Sequence, residues 1–118
     1  METATIESAK TVKSFLKALN DEDFKTARNY LTDDVKFVGV MGTRDSGDTY
    51  ISDMEKMKFK YDIKKVFEDD NDVSVFYDID MGGKVIFCSG WYHLSHGKIK
   101  SMKVIFDPRP LFEKEEEK

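Results

Sequence analysis

The groups in this chain whose types and spacing could do chemistry are few. They are His93 and His96, the lone thiol of Cys88, the run Asp69-Asp70-Asn71-Asp72, and Asp107 just before Pro108. Two histidines hold a metal only when their rings converge on one point. On a strand, odd spacing sends them to opposite faces, and His96 falls in a Ser95-His96-Gly97-Lys98 turn, so no metal site is expected. The acidic run lacks the glycine and distal glutamate of a calcium loop and reads as a hairpin turn. Cys88 has no assigned base beside it, which suits a buried structural thiol rather than a nucleophile. Cys88-Ser89-Gly90 is not a nucleophile elbow. No glycine-rich phosphate loop is present, and no cofactor is expected.

The 118 residues suffice for one domain with a single core. A hydrophobic share of 40% with 13% aromatics fits a packed globular chain. No apolar run approaches the roughly 20 residues that span a bilayer, so no membrane partner is expected. Met1-Glu2-Thr3-Ala4-Thr5 lacks the basic-then-apolar pattern of a signal peptide. One cysteine cannot form an internal disulfide, and a cytoplasmic location is the expectation. With a net charge of -4 and lysines interleaved with acids, as in Lys64-Lys65 before Glu68-Asp69-Asp70, there is no basic face to displace counterions from phosphates. Nucleic acid is therefore not an expected partner. Residues 1–112 read as one domain, and 113–118 as a charged, disordered tail.

The elements that must position any site follow from periodicity. Ile6, Ala9, Val12, Leu16 and Leu19 recur at helical spacing until Asn20-Asp21-Glu22-Asp23 breaks the run. Phe24, Ala27, Tyr30 and Leu31 begin a second short helix, and Val35 to Val38 alternates like a strand. Gly39 to Gly47 reads as a loop. Ser46 or Asp48 caps a third helix whose apolar face is Tyr50, Ile51, Met54 and Met57. From Lys58 onward the period is that of strands, with Phe59, Tyr61 and Ile63 on one face of a strand that runs to about Phe67. Further strands are predicted over Val73–Met81, Val85–Leu94 and Ile99–Phe106, with Gly82-Gly83 as a hairpin turn. Pro108 and Pro110 end the sheet. The fold class is α+β: three N-terminal helices packed on a curved antiparallel sheet.

This order carries several local signatures. They are the Leu-Asn-Asp-Glu-Asp-Phe break, the Tyr-Leu-Thr-Asp-Asp-Val exit, Gly47 before the third helix, Gly97-Lys98-Ile99, and Phe106-Asp107-Pro108. Together they resemble the SnoaL-like proteins of the nuclear transport factor 2-like (NTF2-like) superfamily, from about Ala4 to Phe112. The resemblance implies a cone: a bent sheet wrapped by helices around an apolar pocket, with dimerisation through the outer face of the sheet. The superfamily holds ketosteroid isomerases, polyketide cyclases, epoxide hydrolases, dehydratases and binding proteins without catalysis, so the fold does not assign the function.

Carried over residue by residue, the resemblance removes the best-known chemistry. An isomerase needs a general base and an oxyanion hole built from a tyrosine and a protonated aspartic acid; those positions fall on Gly39, Phe15 and Gly90. Epoxide hydrolases of the limonene type use an Asp-Arg-Asp set, but Arg44 and Arg109 lie in predicted loops and Arg28 on a helix. The SnoaL-type histidine falls on Tyr92 and the aspartate on Asp107. A tyrosine hydrogen-bonds but is a poor base at neutral pH. Asp107 reads either as that base or as a cap at the strand end, since strict alternation turns it away from the pocket if Phe106 points in.

With the parity that the resemblance implies, Val75, Tyr77, Ile79, Ile86, Cys88, Gly90, Tyr92, Leu94, Met102, Val104 and Phe106 face the pocket. Phe15 and Tyr30 come from the helices. The expected ligand contacts are Phe15, Tyr30, Tyr77, Cys88, Tyr92 and Met102, a chamber for a small hydrophobic molecule with one or two hydrogen-bonding groups. The same residues could instead fill the core and leave no cavity. On the other face lie Phe76, Phe87, Trp91, His93 and Ile105, which are predicted to bury one another in a homodimer. Two functions stay open: a non-catalytic binding module, or a cyclase, isomerase or lyase of SnoaL type using Asp107 with Tyr92 or Tyr77.

Overall fold

In a computed structural model of the chain, which describes residues 7–112, the first apolar repeat becomes the buried stripe of helix α1 (Ser8–Asn20): Val12, Phe15, Leu16 and Leu19. Ile6 and the tail 113–118 lie outside the described residues. Hydrogen bonds at both ends of α1 fix it against β3 and the turn that follows. Ser8 Oγ donates to the Asp70 carbonyl at 2.7 Å. Asn20 spends both ends of its amide on Tyr61, donating to its carbonyl at 2.8 Å and accepting from its N–H at 2.7 Å.

Helix α2 (Phe24–Asn29) is capped by Asp23, whose carboxylate accepts from the Thr26 N–H at 3.2 Å. The helical period does not extend through Leu31: Tyr30 ends α2, and Leu31 opens strand β1 (Leu31–Gly39). The predicted loop that follows contains a three-residue strand, β2 (Gly42–Arg44), which folds back on β1. Ser46 rather than Asp48 caps α3 (Gly47–Met57), accepting from the Thr49 N–H at 3.4 Å. Tyr50, Ile51 and Met54 are buried along it, while Met57 stays exposed.

Four longer strands follow: β3 (Lys60–Asp69), β4 (Asp72–Asp80), β5 (Val85–Ser95) and β6 (Lys98–Phe106). One turn of helix, α4 (Arg109–Phe112), comes after Pro108. Among the described residues the sheet has six strands in the order β2-β1-β6-β5-β4-β3. It is mixed rather than wholly antiparallel, because β1 lies parallel to β6. The reason is topological: β2 and β1 form one edge, β3 the other, and α3 carries the chain between them.

A bulge in β3 between Ile63 and Lys65 bends that edge. It also flips the parity, so Ile63 and Val66 both turn inward while Phe67 lies on the outer face. In β4 and β5 alternation is regular: Val73, Val75, Tyr77, Ile79, Ile86, Cys88, Tyr92 and Leu94 are all buried. In β6, Ile99, Met102 and Val104 join them. The architecture is a bent sheet with helices packed across its concave side.

Candidate functional site

The inner side chains do not close up completely. Between the concave face of the sheet, α3 and α4 lies a cavity of about 320 Å³. Its wall is apolar, from Phe37 of β1, Ile79 of β4, Val104 and Phe106 of β6, and Leu111 of α4. Met41 and Met57 stand at its rim and are more than two-fifths exposed.

Four tyrosines line it: Tyr50, Tyr61, Tyr77 and Tyr92. The Tyr77 and Tyr92 hydroxyls hydrogen-bond each other at 2.7 Å in a buried position. Tyr61 Oη donates to Met54 Sδ at 3.6 Å, and its ring lies 5.6 Å from that of Tyr77. Burial pushes all four phenols above their ordinary range, and for Tyr77 it outweighs the opposing pull of the Tyr92 hydrogen bond. They are neutral hydroxyls at physiological pH and poor bases. Among the described residues, the one carboxylate on the cavity wall is Asp53 of α3, held in an ion pair by Arg44 of β2, also on the wall. Among the described residues no histidine lines the cavity.

The residues singled out from sequence separate into groups. Tyr77 and Tyr92 line the cavity. Phe15 sits one layer behind, its ring 6.4 Å from that of Tyr50, and Met102 is likewise core rather than wall. Cys88 points inward without reaching the cavity wall; its Sγ donates to the Ile86 carbonyl at 3.3 Å, and burial raises its thiol to about 11. Tyr30 is half-buried at the end of α2 and does not reach the cavity, because the chain there is already turning into β1.

Asp107 and Tyr92 are not brought together. Phe106 lines the cavity, so alternation turns Asp107 outward. There its carboxylate accepts from the Arg109 N–H at 3.0 Å and from the guanidinium at 2.6 to 2.9 Å. The Arg109 side chain holds it well below the usual carboxylate range, at about 2. It closes a local turn at the start of α4 and is a weak base. The histidines are also separate: His93 Nδ1 lies 2.8 Å from Asp72 on the outer face, and His96 is 3.0 Å from Ser95 Oγ in the turn.

Sequence reasoning missed Tyr50, Tyr61, Arg44 and Asp53 as wall residues. The alternation of Phe59, Tyr61 and Ile63 already placed Tyr61 inward. Asp53 shares a helix face with Tyr50 and Met57, at spacings of three and four. Arg44 carried no signal, because its strand is three exposed residues long.

The outer face of the sheet bears an aromatic row. Phe67, Phe76 and Phe87 meet edge to face at 6.1 and 6.2 Å between ring centres. Beside them Trp91 donates Nε1–H to Asp72 at 2.9 Å, and the Lys103 ammonium lies 5.3 Å from its ring centre.

A bent sheet that encloses an apolar cavity beneath α3 and α4 defines a cone fold, and comparison with known proteins gives it a family. The chain is 50% identical to an NTF2-like protein of unknown function from Cytophaga hutchinsonii, over 96% of this chain and 100% of that one, with a TM-score of 0.90. The chain belongs to the NTF2-like family. An LEH-like epoxide hydrolase from M. tuberculosis superposes with a TM-score of 0.79 at 24% identity, covering 93% of this chain and 90% of that one. A de novo designed protein with a curved β-sheet reaches 0.77 at 22% identity, covering 91% and 90%. These two likenesses speak to the fold alone. No protein-family model matches the sequence, and no curated protein matches it.

Proposed function

We propose that this chain is a binding protein for a small, largely apolar molecule held in the cone cavity, without the isomerase chemistry known in its superfamily. The observation that carries this reading is the cavity of about 320 Å³, apolar in its walls and lined by two tyrosines whose buried hydroxyls pair with each other. An isomerase needs a base beside the reacting carbon, and the positions that the family resemblance assigns to its known groups hold Phe15, Gly39 and Gly90. The cyclase-type alternative gains no support, since Asp107 faces away from the cavity and is neutralised by Arg109.

The test is direct. Native mass spectrometry of the purified chain, with Nile red fluorescence as a second readout, should show a non-covalent adduct or saturable dye binding at one site per chain. A chain that carries no adduct and leaves Nile red dark overturns the reading.

The same reading includes a homodimer and a cytoplasmic location. The dimer is supported by the outer face, where Phe87, Trp91 and Ile105 are each more than half exposed in the single chain and adjoin Phe67 and Phe76. A contiguous patch of that kind is unusual on a monomer, and aromatic side chains are favoured at such contacts. A light-scattering mass equal to one chain at micromolar concentration overturns this part.

A further inference from the structure

Two hydroxyls carry two protons. The contact between Tyr77 and Tyr92 uses one as donor, and the hydroxyl that accepts it keeps its own. Among the described residues no other side chain or backbone group hydrogen-bonds to either oxygen. A buried donor without an acceptor costs more than a made hydrogen bond gains. Both tyrosines line the cavity, so its interior is the nearest space in which a further acceptor can sit.

A single glycine sets this arrangement. Gly90 has ordinary strand backbone, so its identity answers a need for space and not for an unusual conformation. A methyl at that position would run into the Tyr77 hydroxyl and lie 2.9 Å from Tyr92 Cε1. The two long side chains meet over the gap that glycine leaves.

The cavity is also selective by charge. The one cation on its wall among the described residues is Arg44, and Asp53 already neutralises it. An ionised ligand head driven to the tyrosine end would be buried without a counter-charge, which is strongly unfavourable.

We infer that the Tyr77–Tyr92 pair, positioned by Gly90, is the recognition point for an uncharged apolar ligand that presents one hydrogen-bond acceptor, such as a carbonyl or ether oxygen. This inference rests on the binding reading above and names its ligand class. The two hydroxyls act as binding groups, and Gly90 is a positioning residue.

Three probes of similar size separate the possibilities: benzophenone with a carbonyl, diphenylmethane without an acceptor, and diphenylacetate with a charge. Their affinities are measured by calorimetry on the full chain and on Tyr77→Phe/Tyr92→Phe. Removing both hydroxyls leaves no orphan group, so the variant should fold, which its thermal transition checks. The ratio of benzophenone to diphenylmethane affinity should fall roughly three- to tenfold in the double variant, the worth of one net hydrogen bond. Gly90→Ala should lower the same ratio while diphenylmethane still binds. Diphenylacetate should bind more weakly than benzophenone. An unchanged ratio in the double variant, or preferred binding of diphenylacetate, overturns the inference and leaves the binding reading standing. No binding of any probe overturns both.

Discussion

Tyr77 and Tyr92 touch through their hydroxyls although they are not cross-strand partners: Tyr77 pairs with Cys88, and Tyr92 with Val73. The position between them on the inner face is the pair Val75 and Gly90. The two rings therefore lean toward each other along the sheet and meet above Gly90. That geometry makes the hydroxyl pair depend on one missing side chain, and it can be tested without knowing the ligand.

Gly90→Ala should destabilise the fold, because its methyl meets a tyrosine held on both sides by the sheet. Overpacking of this kind costs about 1 to 3 kcal/mol, and chemical denaturation reads it. Gly83→Ala is a useful contrast. Nothing lies within 4 Å of its added methyl, but its φ of +106° makes the backbone itself the cost.

Tyr77→Phe and Tyr92→Phe should behave non-additively. Either alone leaves a hydroxyl unpaired at a cost of about 1 kcal/mol or more, while together they should cost little beyond one of them. A double-mutant cycle measures the coupling directly. Additive losses would mean that the two hydroxyls act independently.

The Asp107–Arg109 contact makes a pH prediction. The folded carboxyl is depressed to about 2, mainly by the Arg109 side chain, against about 3.9 in an unfolded chain. A depressed acid stabilises the fold above its unfolded value, and that contribution disappears as pH falls from about 4 toward about 2. Side-chain NMR should place the Asp107 midpoint near the bottom of that window, and Arg109→Ala should return it toward an ordinary aspartate.

Cys88 should be inert in the folded chain. Its thiol is buried and raised to about 11, so little thiolate exists at neutral pH. Reaction with a maleimide should track unfolding, and rapid labelling under native conditions would contradict the burial.

Phe87→Lys on the outer face should convert a dimer to a monomer in light scattering while leaving the circular dichroism spectrum unchanged. The side chain is exposed in the single chain and contributes to no core contact that folding needs.

Much of the fold was legible because its elements repeat locally. The stripe Val12, Leu16, Leu19 and the alternation around Tyr77 and Tyr92 are set within single segments. Non-local features were not. The parallel pairing of β1 with β6 depends on where α3 delivers the chain, and β2 is too short and exposed to carry a pattern. At the site, Tyr77 and Tyr92 followed from alternation once the inner face was assigned. Phe15 and Met102 were placed on the correct side but one layer too shallow, since periodicity gives direction and not depth. The Arg44–Asp53 pair joins a hairpin to a helix, a contact no local pattern reports.

The most direct test of the central claim is where a small apolar molecule sits. Intermolecular NMR contacts from bound benzophenone should go to Tyr77, Tyr92, Ile79 and Val104, the inner residues that wall the cavity. Contacts confined to Phe87, Trp91 and Ile105 on the outer face would contradict it.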